Sequence, residues 1–359
     1  MRARNNAFLS ERAGQGFNAA YAGPGSQPLT VFPRLANAAL TNATVQTSLR
    51  QGEAGELGTF YKINGVNGPV GFYRNANALG TNVISNSGDS TYNALQFDVR
   101  RRLSRNLHFQ ANYTYSKVLS NTVGDANSRF EPYLDLGNNT LERARPPFDL
   151  THAIKSNGSY SLPFGKDRHW STSNPVLDNV FGGWIVGGLL AWQSGFPFSV
   201  LSNRGTLNRA GRSTNTNTAS TLLTKEQLDS NIFGLRLLGN GVFFVDPSGK
   251  NPLDGRAAAQ DGAAFFSGQS FYHPGPGDVG GLQRRMFSGP WNFGLDMSLT
   301  KRFTIREGHT IDFRADAFNL PNTPGFTIGD QDINSVNFGR ITTVNIGSRF
   351  MQFGIHYRF

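Results

Sequence analysis

The chain has 359 residues, 38% of them hydrophobic, no cysteine and a formal charge of +10. That length allows one large domain or two, and the missing cysteines exclude disulfide frameworks, thiolate metal sites and thiol nucleophiles. The longest apolar run, 181–192, contains four glycines and is shorter than the roughly 20 residues a membrane helix needs; a β-barrel is not excluded, because alternation dilutes its hydropathy.

A positive balance admits nucleic acid, anionic lipid or anionic solutes as partners. Many of the basic residues lie in loops and at strand ends, so simple solvation is the reading adopted, and no nucleic acid is expected. The start, Met1-Arg-Ala-Arg-Asn-Asn-Ala-Phe-Leu-Ser10, is basic without an apolar run and does not read as a signal peptide. Residues 1–89 carry turn signals at Pro24-Gly25, Gly65, Asn67-Gly68-Pro69 and Gly71 and no sustained period. The expectation is a loop-rich segment with at most a small hairpin, forming an extracellular connection of a larger parent barrel.

From Ser90 the texture changes to alternation. Leu95, Phe97, Val99 and Leu103 share one parity, and Gln96, Asp98, Arg100 and Arg102 the other. After a short turn at 104–106, Leu107, Phe109, Ala111, Tyr113 and Tyr115 alternate with His108, Gln110, Asn112, Thr114 and Ser116, completing a hairpin. Residues 118–148 are polar and irregular. A strand is expected from Asp149 to about Leu162, stopped by Pro163-Phe-Gly165, and another from Trp184 to Val200, with Trp184, Val186, Leu190 and Trp192 on one parity. Residues 201–290 read as a very long connection, with a short helix over Thr224–Leu238 capped by Thr224.

Three strands remain. Trp291, Phe293, Leu295, Met297 and Leu299 alternate with polar or small residues; Arg306-Glu-Gly308 is a tight turn; Ile311, Phe313, Ala315 and Ala317 alternate with Thr310, Asp312, Arg314 and Asp316. A connection at 319–347 leads to Met351, Phe353, Ile355, Tyr357 and Phe359, alternating with Gln352, Gly354, His356 and Arg358. Large apolar groups on one parity and polar groups on the other fit a barrel strand with lipid outside and water inside. The expected fold is all-β: an antiparallel transmembrane β-barrel portion of about seven to eight strands, incomplete, over residues 90–359. If the C-terminus is periplasmic, the connections at 118–148, 201–290 and 319–347 all fall outside and the shorter ones inside.

Several stretches resemble the barrel of TonB-dependent outer-membrane receptors, more closely the Oar-like subgroup that carries a carboxypeptidase-regulatory-like domain. They are Ser90-Thr-Tyr-Asn-Ala-Leu-Gln96, Asn112-Tyr-Thr-Tyr-Ser-Lys117, Ser161-Leu-Pro-Phe-Gly165, Trp192-Gln-Ser-Gly-Phe-Pro197 and Phe318-Asn-Leu-Pro-Asn-Thr-Pro-Gly-Phe326. The end is similar to the signal read by the barrel assembly machinery, carried by Gln352, Gly354, Tyr357 and Phe359. The resemblance implies the outer membrane of a Gram-negative bacterium and partnership with outer-membrane lipid, the assembly machinery and the TonB system. It also implies a signal sequence, a TonB box, a plug and about 22 strands. Seven clear strands and no plug are read here, so the resemblance implies a transporter part or gene fragment. The alternative is a structural or adhesive outer-membrane protein, or a small porin without TonB coupling.

No catalytic, cofactor or metal site is expected. Asp125, Asn127, Glu131 and Asp135 share a loop but not the spacing of a known cation loop, and the six histidines show no HExxH. Ser194 lies outside a GxSxG elbow. Asp312, Arg314, Asp316, His356 and Arg358 are expected to face the lumen as a charge network. Tyr113, Tyr115, Trp184, Trp192 and Trp291 are expected to face lipid as interface girdles, with core packing in a soluble sandwich as the competing reading.

Overall fold

The structure, a computed structural model, describes residues 1–36, 40–80, 84–103, 106–122, 133–135, 137–165, 168–171, 174–207 and 217–359. Its frame is a seven-stranded antiparallel sheet in sequence order. The strands are β1 (Ser90–Leu103), β2 (Leu107–Ser120), β3 (His152–Ser161), β4 (Trp184–Gln193), β5 (Asn292–Arg306), β6 (His309–Phe318) and β7 (Phe350–Arg358). Among the described strands, β1 and β7 have a neighbour on one side only, so the sheet is open.

Cross-strand register shows that one parity is shared across all seven strands. Phe97 opposes Tyr113, Tyr113 opposes Ile154, and Ile154 opposes Trp192. Trp192 opposes Phe293; further along, Leu299 opposes Ala315 and Ala315 opposes Phe353. Directly opposed residues point to the same side, so these form one continuous apolar face. It is also exposed: Phe97 54%, Val99 57%, Phe353 66% and Ile355 72%. Seven strands at about 4.8 Å spacing make this face roughly 30 Å wide, well beyond the patches a soluble monomer shows to water. The opposite face is polar, with Asp98, Asn112 and Lys155 in one row.

The connections sort by length. Those at 104–106, 162–183 and 307–308 leave one end of the sheet, and those at 121–151, 194–291 and 319–349 leave the other. Gly308, at φ +80°, supplies the left-handed residue of the shortest turn, and the register shifts just after it, between His309 and Thr310. In the first hairpin, the turn positions 104 and 105 lie outside the described residues.

Strand ends differ from expectation where a side chain has a competing task. β3 begins at His152 rather than Asp149, because the Asp149 carboxylate is turned aside to accept from Val118 N–H (2.9 Å) and Arg145 Nε (2.6 Å). β4 stops at Gln193 rather than Val200. There the chain bends over Gly195, where a Cβ would lie 1.9 Å from the Gly289 carbonyl oxygen. Pro197–Phe198 then pairs with Phe287–Ser288 as a separate short ladder.

The long connections are folded rather than loose. Phe198, Phe233, Phe244, Phe271, Phe287, Ile333 and Phe338 form a buried core drawn from 198–287 and 333–341. The Phe233 and Phe287 rings are 4.5 Å apart. Burying a phenylalanine is worth about 1.5–3 kcal/mol, enough to order backbone that has little regular structure. The resulting cap gives the long connection 201–290 a folded body and corrects the helix read over Thr224–Leu238. Thr224 does cap a helical turn, with a reciprocal capping box to Gln227, but Phe233–Leu238 is a strand. It pairs with Gly241–Val245 and sets Phe233 in the aromatic core, while Leu235, Leu237 and Leu238 stay exposed.

Residues 1–89 also depart from the expected loop-rich segment. Their described residues include the α-helices α1 (Arg2–Arg12), α2 (Ala43–Gln51) and α3 (Ala54–Ile63). Ala7, Val45, Leu49 and Tyr61 form their core. Asn42 caps α2 through Thr44 N–H, and Gly52 ends it in the left-handed region (φ 75°). The segment is tied to the cap by Gly205 N–H donating to the Glu53 carboxylate (2.8 Å) and by Arg50 donating to Asp261 O (3.2 Å).

Candidate functional site

Two polar regions are built on this frame. The first is the polar face of the sheet, which forms a trough of about 550 Å³ lined by Asp98, Asn112, Lys155, Asn157, Leu189 and Asp296 among others. Parity puts mostly polar side chains on this side, with Ile185, Leu189 and Ala191 of β4 as an apolar strip among them. Toward β7, Asp312 accepts from Arg302 (2.6 and 3.1 Å) and lies 3.1 Å from the Arg358 guanidinium. His356 opposes Asp312 in register. Arg314 donates to both oxygens of Asp316 (3.0 and 2.9 Å). The arginine side chains are 56–66% exposed, so solvent screens these pairs and they contribute little to stability. What the pairs do is hold the charges in fixed positions along the wall. Arg302, the closest partner of Asp312, was missed by sequence reasoning, although its parity continues that of Ser298 and Thr300.

Gln352 and Gly354 lie on the polar parity of β7, opposite Asp316 and Arg314, while Tyr357 opposes Ile311 on the apolar parity. The rings of Tyr357 and Phe359 stack 5.7 Å apart, and Tyr357 Oη lies 2.5 Å from His309 Nδ1.

The other aromatic residues divide between the two ends. Trp184 is at the short-turn end of the apolar face, whereas Tyr113, Tyr115 and Trp192 lie toward the long-connection end. Trp291, 57% exposed, immediately precedes β5 at that same end. His152 sits on the apolar parity too, with its Nδ1 2.9 Å from Tyr113 Oη, so that each polar tip is satisfied by the other.

The second region is a cavity of about 600 Å³ between α1 and residues 259–275. Arg4 and Arg12 approach it from α1, the rings of Phe8, Phe265 and Tyr272 form walls, and His273 and Asp261 line it. Arg204 binds Asp261 at 2.8 Å and Asn334 Oδ1 at 3.0 Å, so the Asp261 charge is matched inside the cap. Burial lowers the Arg4 guanidinium pKa, opposed by Asp261. Burial raises the Glu53 carboxyl, opposed by Gly205 N–H and Arg204. His273 is pushed down to about 4 by burial and the Arg204 charge, against Asp261, Asp332 and Asn334. At neutral pH the imidazole is therefore uncharged. Arginines with ring walls and a neutral imidazole suit an anionic solute with a flat or apolar part. No spacing in the sequence pointed to this site, because its residues come from segments some 250 positions apart.

Acidification is expected to loosen the cap. His273 is neutral in the folded chain and takes up a proton below about pH 6.5 once unfolded. Its contribution is full above pH 6.5 and is lost as pH falls from 6.5 toward 4. The loss amounts to about 3 kcal/mol. Glu53 acts oppositely: its contribution is full below about pH 4.5 and is lost as pH rises through its raised value, so it cushions only the acid end. Protease cleavage within the cap should be faster at pH 4.5 than at pH 7, and His273→Gln should flatten that difference. An unchanged pH slope in the variant would assign the effect to other groups.

Asp125, Asn127 and Glu131 lie outside the described residues. Asp135 accepts from Gly137 N–H (2.8 Å) as part of a local turn. Among the described residues no three or more His, Cys, Asp or Glu side chains are grouped to hold a metal ion. Ser194 Oγ accepts from His152 N–H (3.1 Å).

Comparison with curated proteins returns no match. Among solved structures, the chain is similar to the outer membrane transporter YddB from Escherichia coli, with a TM-score of 0.31 and 10% identity. The match covers 76% of this chain and 25% of that transporter, so the chain spans about a quarter of its length. Residues 13–352 match the family described as outer membrane beta barrel domain. With an apolar face and a polar face running through all seven strands, the chain belongs to that family, whose place is the outer membrane.

Proposed function

We propose that the chain is the C-terminal part of the barrel of a TonB-dependent outer-membrane receptor of the Oar-like kind, supporting energised uptake of a large solute. The observation that carries this reading is the sorting of connections: all three long ones leave one end of the sheet, two of them share the buried core of a cap, and a cavity lies between that cap and α1. A cap at the outward end suits capture of a solute, and the polar trough on the inner face suits its passage. The solute class suggested by the cavity is an anion with a flat or apolar part.

The open sheet supports the partial-barrel aspect. In hydrocarbon, the unpaired N–H and C=O groups along the free edges of β1 and β7 each cost several kcal/mol. Further strands, with a plug and a TonB box, would come from chain beyond these residues. Refolding of the 359 residues in detergent and planar-bilayer recording test this. The expectation is no heat-resistant closed monomer and no steady conductance; a closed, conducting monomer would instead mean a small porin. The adjoining gene sequence separates uptake from adhesion, since a plug and TonB box are expected there, and a signal peptide directly before Met1 with no plug would overturn the TonB assignment.

A further inference from the structure

The connection from β3 to β4, at the short-turn end, contains α4 (Pro175–Phe181), capped by Asn174, whose side chain accepts from Val176 N–H (2.9 Å) and Leu177 N–H (3.4 Å). Val176, Leu177, Val180 and Phe181 are spaced to share one side of this helix, with Asp178 and Asn179 on the other. All four apolar side chains are exposed, by 69%, 43%, 50% and 58%.

The helix is fastened to the apolar side of the sheet. Trp184 and Lys301 oppose each other across β4 and β5, on the parity of Val186 and Leu299. Trp184 Nε1 donates to Val180 O (3.1 Å). Lys301 Nζ donates to Asn179 O (2.6 Å) and Gly182 O. Its ammonium lies 5.5 Å from the Trp184 ring and 4.9 Å from the Phe303 ring. A cation placed on an apolar face is thus drawn beneath the carbonyl end of the helix, where both the dipole and the rings favour it. Next to the helix, Phe164 and Trp170 stack at 5.0 Å and are themselves exposed.

We propose that α4 is an interfacial foot: it lies in the headgroup–acyl boundary of the outer membrane at the short-turn end, with Val176, Leu177, Val180 and Phe181 turned into the acyl chains. The occupant is lipid because Trp184 and Lys301 tie the helix to the face that family membership places in the membrane, with its apolar side chains left exposed there. A short helix with one oily and one polar side is the form that lies in an interface plane rather than crossing it. Its action would be to fix the depth and tilt of β4 and β5 at the short-turn end of the sheet. The inference does not depend on TonB coupling.

The chain has no native cysteine, so single nitroxide labels are unique. The full chain carrying Leu177→Cys, Asp178→Cys, Val180→Cys or, as a membrane reference, Leu299→Cys is placed in bilayers of phosphatidylethanolamine and phosphatidylglycerol. Collision rates with oxygen and with a water-soluble nickel chelate are then read by power saturation. Labels at 177 and 180 are expected to meet oxygen in preference to nickel, as at 299, with the reverse at 178. Equal nickel access at 177, 178 and 180 would put the helix in water; shielding of 177 and 180 from both reagents would mean that protein covers it. Either result overturns the proposal. A bilayer in which the 299 label itself meets nickel counts as a failed insertion, and the measurement is repeated on isolated outer membranes.

Discussion

Arg284→Met is expected to cost the cap about 3–5 kcal/mol. The Glu142 side chain is fully buried and that of Arg284 is 3% exposed, and the two form an ion pair. Arg284 also donates to Glu142 O (3.1 Å), and Leu134 N–H donates to Glu142 Oε1 (2.5 Å). Removing the guanidinium leaves a carboxylate in a place water does not reach. The pair joins the 121–151 connection to the turn at Arg284 and Arg285, just before the Phe287–Ser288 ladder, so its loss should free both. Proteolysis of the cap in intact outer membranes reads the effect as a large rise in cleavage rate. The double change Glu142→Leu with Arg284→Met should be milder than Arg284→Met alone, because it removes the stranded charge along with its partner. A double variant as fragile as the single one would show that packing, not the loss of the Arg284 cation beside Glu142, dominates.

Deleting Phe359, or replacing Tyr357 with Ser, is expected to lower outer-membrane abundance several-fold while leaving ligand affinity per inserted molecule near normal. Tyr357 opposes Ile311 on the apolar parity, away from the trough. Its ring stacks on His309 at 5.9 Å as well as on Phe359, at the rim where aromatic rings suit a membrane interface. Surface labelling of a cysteine introduced in the cap reports abundance, and solute bound per label reports affinity. Normal abundance with lost affinity would reverse the roles assigned to this strand.

The strands were legible because each has an oily and a wet side, and period two survives in the sequence wherever both sides have uniform surroundings. Arg302 escaped notice only because the pattern of β5 was followed no further than Thr300. The N-terminal helices were hidden for a different reason. The buried positions of α1 are Ala3, Asn6, Ala7 and Ser10, which follow a helical spacing, yet two of the four are polar and two are alanine. No hydrophobic period can be read from such residues. The caps of α2, Asn42 and Gly52, were the available signal. The cap core was opaque because Phe271 and Phe338 come from irregular backbone, and Phe198 and Phe287 from strands of only two residues. Their meeting is a tertiary fact with no local period. The cavity inherits that opacity, and the polar wall does not.

The ladder of Pro197–Phe198 with Phe287–Ser288 has a consequence for the order of assembly. β4 and β5 are neighbours in the sheet, yet residues 194–291 separate them. Closing an excursion of that length as slack chain costs roughly 3 kcal/mol more in entropy than closing a two-residue turn. Once the cap has formed, its ladder and the Gly195–Gly289 crossing already hold the two ends together. The excursion then acts as a hairpin turn with a small folded body on it. The part of the cap folded from 198–287 thus favours the pairing of β5 with β4, and core substitutions in it should slow zippering of β5 to β7.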